Sequence, residues 1–309
     1  QLKYGENHST VKQLGNYIEK LNKTLDGKPL PDIEAIGPAS VKIIEQAIVP
    51  LGPVMTFSKS FMLIIAFFTS IVLGIMLAFG FEYFDQTFKS PQDVETFLNI
   101  PFLGSVPKKK SKDKLLITDT NLTTEYARSF QTLSDQIYLL MKDKNLKSLL
   151  VTDTEGSEGT TVIIANLGIY LANRAGHKVL IIDANLRNPS IHKILNTSDN
   201  PGLADVLEDK VSFDLAIQDL DSNLAVLTSG KTELNPCTLL DSSMMSDVIK
   251  KAKDRYDIVF INSADLRNFT DTAILSSITD GIAIVINEGR ARRQVLQNAI
   301  AVLAQKKVN

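Results

Sequence analysis

The chain is poor in several things that commonly carry chemistry. It has one cysteine, Cys237, in 309 residues, so no internal disulfide can form. It has three histidines, His8, His177 and His192, scattered without the spacing of a metal site, so packing or surface roles suit them better. Its formal charge of −2 excludes a nucleic-acid binder that works by bulk charge. Charge is missing altogether from Phe61–Phe81, a stretch of Phe, Ile, Leu and Met. About 20 such residues cross a bilayer core, and a buried helix of that length would normally keep a polar face. The stretch therefore reads as a transmembrane helix. Gln1 opens the chain without a signal-peptide pattern, as in a fragment or a processed product.

Outside that span the chain divides by composition. Leu2–Leu25 carries apolar residues at Val11, Leu14, Ile18, Leu21 and Leu25, a helical stripe of about two heptads. The stripe fits a short coiled coil or an amphipathic helix packed on neighbouring chains or helices. Asp26-Gly27 and the prolines at 29 and 31 break it, and Val41–Val49 alternates weakly like a strand. Within the span, Ser70, Gly74 and Ala78 share one face at a spacing that lets helices approach. Lys89, Lys108, Lys109, Lys110, Lys112 and Lys114 follow the span, whereas only Lys42 and Lys59 lie close before it. The positive-inside rule places the C-terminal side in the cytoplasm and the N-terminal side outside it. The lysine run reads as a solvated linker or as a contact for anionic lipid. Ser90-Pro91 is a helix-start pair opening Gln92–Leu98. The expected division is 1–56 extracytoplasmic, 57–84 transmembrane, 85–115 juxtamembrane and linker, and 116–309 cytoplasmic.

From Leu116 onward apolar runs alternate with helical patterns. Ser148–Thr152, Val179–Ile182, Leu224–Leu227, Ile258–Ile261 and Ile282–Ile286 read as buried strands, with helices at Glu125–Met141, Val162–Ala172 and Asp247–Asp254. This pattern predicts an α/β domain with a doubly wound parallel sheet. Ligands of such sheets sit at the carboxyl ends of strands, where Asp183 and Asn262 fall.

Between the first two strands lies TDTEGSEGTTV, with Gly156 and Gly159 as flexible points. A strand, a glycine turn and a helix start make an anion cradle from convergent N–H groups. Gly156, Ser157, Glu158, Gly159, Thr160 and Thr161, with Asp183, are the candidate nucleotide site. The full phosphate-loop pattern is G-x-x-x-x-G-K-[ST]. With Gly159 as its second glycine, Thr160 stands at the lysine and Thr154 at the first glycine. The loop alone fits a degenerate cradle or a plain connecting turn.

Several ordered blocks carry a resemblance. EYFDQTFKSPQDVETFLNIPFLGSVPK, EYARSFQTL, HKVLIIDANLRNPSIHK, GLADVLEDK, LNPCTLL and YDIVFINSADLRNFTDTAIL are similar, in order, to blocks of bacterial polysaccharide co-polymerases fused to a bacterial tyrosine kinase domain. LKYGENHSTVKQL resembles that family's extracytoplasmic helix. The resemblance implies a P-loop-like kinase fold, an inner-membrane location and a role in exopolysaccharide or capsule synthesis. It also implies a homo-oligomer in the form of a ring, alongside the polymerase and export machinery and a separate kinase or phosphatase. Glu125 and Arg128 resemble the family's subunit-contact motif, with Gln131 in place of its second arginine.

The departures fall on cation-handling positions. Thr160 replaces the loop lysine, Asn185 the second acid of D-x-D-x-R, and Asn262 the Walker B aspartate. A MinD/ParA-type signature lysine would fall on Glu155, which excludes that variant. No tyrosine cluster follows Ala291. Phosphoryl transfer relies on a lysine and on magnesium held by carboxylates. The expectation is a pseudokinase domain with no catalytic residue and no metal. The loop amides and Thr161 keep the means for weak ATP or ADP binding. An active autokinase or ATP sensor with an atypical site is the competing expectation. Arg187 has Glu158 or a neighbouring subunit as candidate partners. Arg290, Arg292 and Arg293 cluster at an expected helix start.

Overall fold

The structure, a computed structural model, describes residues 9–24, 57–84, 87–88, 90–108, 115–117, 124–154, 156, 159–173, 175–266 and 269–306. The expected strand at 41–49, most of the lysine run, His8, Ser157 and Glu158 lie outside them. The chain divides into two units, Gln1–Gly74 and Ile75–Asn309.

In the first unit, α1 spans Ser9–Thr24. Its apolar stripe faces outward: Leu14, Tyr17, Ile18 and Leu21 are all exposed. Helix α2, Lys59–Phe84, begins here and runs 26 residues, about 39 Å at 1.5 Å per residue. Its mean hydropathy reaches 2.6 over an 18-residue window, none of which is buried. The two hydroxyls in its uncharged stretch bond to its own backbone, Thr69 to the Ile65 carbonyl at 2.7 Å and Ser70 to the Phe67 carbonyl at 2.8 Å. Such internal bonding suits a medium that offers no partners.

The second unit opens with α3, Pro91–Leu98. Ser90 caps it as its sequence predicts, accepting from the Asp93 N–H at 3.2 Å. Helix α4 is Glu125–Asp143, capped by Thr124. Then follow β1 Ser148–Asp153, α5 Gly159–Asn173 and β2 Val179–Asp183. Short helices α6 Ile191–Leu195, α7 Leu203–Leu207 and α8 Phe213–Ala216 lead to β3 Gln218–Asp221 and β4 Leu224–Leu227. Helices α9 Pro236–Leu240 and α10 Ser243–Arg255 precede β5 Ile258–Asn262. Helix α11 Phe269–Ile278, β6 Gly281–Val285 and α12 Arg293–Lys306 complete it.

The sheet order is β3-β4-β2-β5-β1-β6. Five strands are parallel, as expected from their unbroken apolar runs. The sixth, β3, is an antiparallel edge that the sequence conceals. Its residues, Gln-Asp-Leu-Asp, are weak strand formers, and acids on an edge deter pairing with another chain. Apolar side chains fill both faces of the sheet. One core joins Leu180, Ile182 and Val259 to α7, α9 and α10. The other joins Val151, Ile181 and Phe260 to α4 and α5. A third cluster packs Phe88 and Leu98 against Leu296, Ala299 and Leu303 of α12. There Arg293, from the expected arginine cluster, lies 4.0 Å from the Phe97 ring centroid.

Buried Asn166 of α5 ties the entry of the domain to its core. Its Oδ1 accepts the Ile117 N–H at 2.7 Å, and its Nδ2 donates to the Leu115 carbonyl at 3.1 Å and the Val162 carbonyl at 3.0 Å.

Candidate functional site

Strands β1, β5 and β2 are neighbours, and their carboxyl ends carry Asp153, Asn262 and Asp183. Asp183 and Asn262 are paired in register across β2 and β5. Register alone puts the two side chains on the same side of the sheet end. The Asn262 Nδ2 donates to Asp183 Oδ1 at 2.8 Å.

Asp183 is fully buried. Besides Asn262, it accepts from the backbone N–H groups of Asn185 at 3.3 Å, Ser190 at 3.2 Å and Ile191 at 3.1 Å. Four N–H donors thus converge on one carboxyl. Burial pushes its pKa above the ordinary carboxylate value, and the four hydrogen bonds oppose that push.

The loop after β1 turns at Gly156, whose φ of 70° suits glycine. The Gly156 N–H donates to Asp153 Oδ1 at 2.8 Å. Thr160, at the position where the resemblance puts lysine, donates its hydroxyl to Asp153 Oδ2 at 2.9 Å. Thr161 shares a hydrogen bond of 2.7 Å with the Ser190 hydroxyl. Gly159 and Thr160 open α5. Ser157 and Glu158 lie outside the described residues.

Asn185 does not face the pair as a second ligand would. Its Oδ1 accepts the Asn188 N–H at 3.1 Å and closes the turn after β2. Glu158, one of the two partners considered for Arg187, lies outside the described residues, and the structure gives Arg187 a further partner. Its guanidinium forks onto Asp271 of α11, Nε to Oδ2 at 2.6 Å and Nη2 to Oδ1 at 3.0 Å. The Cys237 thiol of α9 also donates to Asp271 Oδ1, at 2.7 Å. That hydrogen bond, followed by burial, pushes the thiol pKa up, so Cys237 is a poor nucleophile at neutral pH. His177 packs on Tyr138, and His192 Nδ1 lies 3.1 Å from Asp199 Oδ1.

The structure therefore brings Gly156, Gly159, Thr160, Thr161, Asp183 and Asn262 to one place. Glu125 and Arg128 lie elsewhere, exposed on the first turn of α4. Sequence reasoning gave Asp153, Ser190, Cys237 and Asp271 no part in the site. All four sit inside stretches quoted above, but only the fold shows what they touch.

These groups do not fit a magnesium nucleotide. A hard cation needs oxygen lone pairs, and here Asn262 presents N–H to the buried Asp183. The β- and γ-phosphates call for an ammonium, and Thr160 offers a hydroxyl already given to Asp153.

No family model matches the chain. It is 32% identical over 179 residues to the tyrosine-protein kinase YwqD of Bacillus subtilis, covering 58% of this chain and 75% of that one. It is 27% identical over 280 residues to the tyrosine-protein kinase wzc of Salmonella typhi, covering 84% of this chain and only 38% of the relative. Among solved structures, the chimerical protein CapA2B2 superposes with a TM-score of 0.64 at 26% identity, over 71% of this chain and 95% of that one. The identity to YwqD and the shared fold converge on the unit that holds the site: the chain belongs to the bacterial tyrosine-protein kinases.

Proposed function

We propose that this protein is a membrane-anchored polysaccharide co-polymerase whose kinase-fold domain transfers no phosphate and serves instead for assembly or docking. The observation that carries the reading is a pair of hydrogen bonds. Thr160 and Asn262, both departures from the family pattern, each donate to a strand-end carboxyl, Asp153 and Asp183. The groups that would have drawn in a cation and phosphates satisfy one another. One lost charge-assisted hydrogen bond of about 1.5–3 kcal/mol already slows a reaction roughly tenfold to a hundredfold. Loss of a lysine and two acids together removes far more.

In this reading residues 1–56 lie outside the cytoplasmic membrane, 57–84 cross it, 85–115 form the juxtamembrane segment, and 116–309 form the cytoplasmic domain. The apolar surface of α2 and the lysines that follow it support that orientation. The protein assembles with itself, with Glu125 and Arg128 at the subunit contact, and works beside polysaccharide polymerase and export components to set polymer length or release. The exposure of both side chains on α4 supports that contact.

The test is turnover. The purified full chain is incubated with ATP and magnesium, and phosphate release and phosphotyrosine are followed, with Asp183→Ala as control. The expected result is no signal above that control. Turnover that disappears in Asp183→Ala establishes the autokinase reading instead.

A further inference from the structure

We infer that Asn262 is the residue that keeps divalent cations out of the strand-end site, by presenting an N–H donor where a cation would need a second oxygen. The inference rests on the non-catalytic reading of the site and adds a specific agent to it.

The geometry carries the argument. Asn262 is buried, and its Nδ2 lies 2.8 Å from Asp183 Oδ1. Both residues end adjacent parallel strands in register, which fixes their backbones side by side, and both side chains are buried there. The remaining contacts of Asp183 are backbone N–H groups, fixed by the turn after β2 and by the start of α6. The amide of Asn262 is thus the one replaceable donor on that carboxyl. An oxygen in place of Nδ2 would set two carboxyl groups against each other inside the protein. Two buried carboxylates in contact cannot both stay charged without a proton or a cation between them. The change from N–H to oxygen therefore turns a self-satisfied pair into a two-oxygen cation ligand, with no other residue altered.

The experiment is thermal melting of the full chain in detergent, followed by circular dichroism in EDTA and in millimolar magnesium or manganese. Wild type should melt within about 1 °C in all three. Asn262→Asp should melt roughly 6–20 °C below wild type in EDTA, as expected for a buried uncompensated charge in a domain of this size. The cation should restore at least half of that loss. Asn262→Ser replaces the amide by a shorter hydroxyl that adds neither charge nor a carboxyl oxygen, and should melt lower than wild type with no response to cations. The double exchange Asp183→Asn with Asn262→Asp keeps one acid and one amide, and should also ignore cations. If Asn262→Asp is unfolded in EDTA, refolding with and without magnesium gives the same comparison. Folding that requires the cation supports the inference, and failure in both conditions overturns it. A cation-dependent shift in wild type, or an equal response from Asn262→Asp and Asn262→Ser, also overturns it. Phosphotyrosine formed by wild type would overturn the non-catalytic reading separately, since that signal requires no change at Asn262.

Discussion

Arg187 and Asp271 offer a quantitative test of how the loop beside the site is held. Asp271 is 1% exposed. It takes two hydrogen bonds from Arg187 and one from Cys237. Arg187→Ala removes both ionic donors and leaves a buried carboxylate with only a thiol partner. Breaking a buried ion pair from one side costs about 3–5 kcal/mol. The Arg187 side chain is 37% exposed, so water can enter the space it leaves. That screening brings the expected cost down to about 2–3 kcal/mol. In a domain of this size the melting temperature should fall roughly 4–12 °C. Asp271→Asn leaves the cation free to turn toward water and should cost less, about 1–2 kcal/mol. The double variant contains no stranded charge, so its cost should fall short of the sum of the singles by about 1–2 kcal/mol. Urea or thermal melts of the four proteins complete the cycle. Additivity within about 0.5 kcal/mol would show that the pair does not couple the turn after β2 to α11, and would refute the argument.

Three further outcomes are expected. Asn166→Leu strands the buried Ile117 N–H and should cost about 2–3 kcal/mol, with faster hydrogen exchange at Ile117; unchanged exchange would contradict the clamp. Asp280 accepts from Lys253 Nζ at 2.5 Å and from the backbone N–H groups of Lys147 at 3.0 Å and Ser148 at 2.9 Å. Burial works against its charge, but these donors outweigh it and hold the carboxyl below its ordinary value of 3.8. A depressed pKa contributes stability above 3.8 that is lost as pH falls through the folded value. Asp280→Asn should therefore cost about 1–2 kcal/mol near neutrality, and the gap should close in acid; a gap independent of pH would exclude this account. Gly202→Ala would place its Cβ 2.2 Å from the Gly230 backbone nitrogen, where backbone cannot yield. It should cost about 3 kcal/mol or more, and a melt within about 1 kcal/mol of wild type would refute the close approach.

What could be read from sequence, and what could not, follows from the range of each interaction. Four of the five parallel strands, β1, β2, β4 and β5, are buried along their length, whereas β6, expected to be buried too, is a half-buried edge; all five still show in the sequence as runs of Leu, Val, Ile and Ala. The other edge strand, β3, has no such run, and Gln-Asp-Leu-Asp looks like loop. Helix α2 announces itself because it is apolar along nearly all of its length, the one requirement that a bilayer would impose on every residue inside it. Ser90 and Pro91 are legible because a helix cap is settled within four residues. The site is different in kind. Thr160, Asn185 and Asn262 could be named as departures, since residue type at an aligned position is local information. Their consequence is not local. Thr160 reaches back seven residues to Asp153, and Asn262 reaches 79 residues to Asp183. The sequence offers Arg187 either Glu158 or a neighbouring subunit, whereas Asp271 is 84 residues on and joined to it only by the fold. Viewed singly, the three positions are only departures from a pattern. In the fold two of them, Thr160 at the start of α5 and Asn262 at the end of β5, donate to the strand-end acids Asp153 and Asp183 and so help hold the sheet ends together. Selection that kept Asp153 and Asp183 buried would favour donors such as Thr160 and Asn262 over apolar replacements, because a buried carboxyl without partners is costlier than the substitution itself.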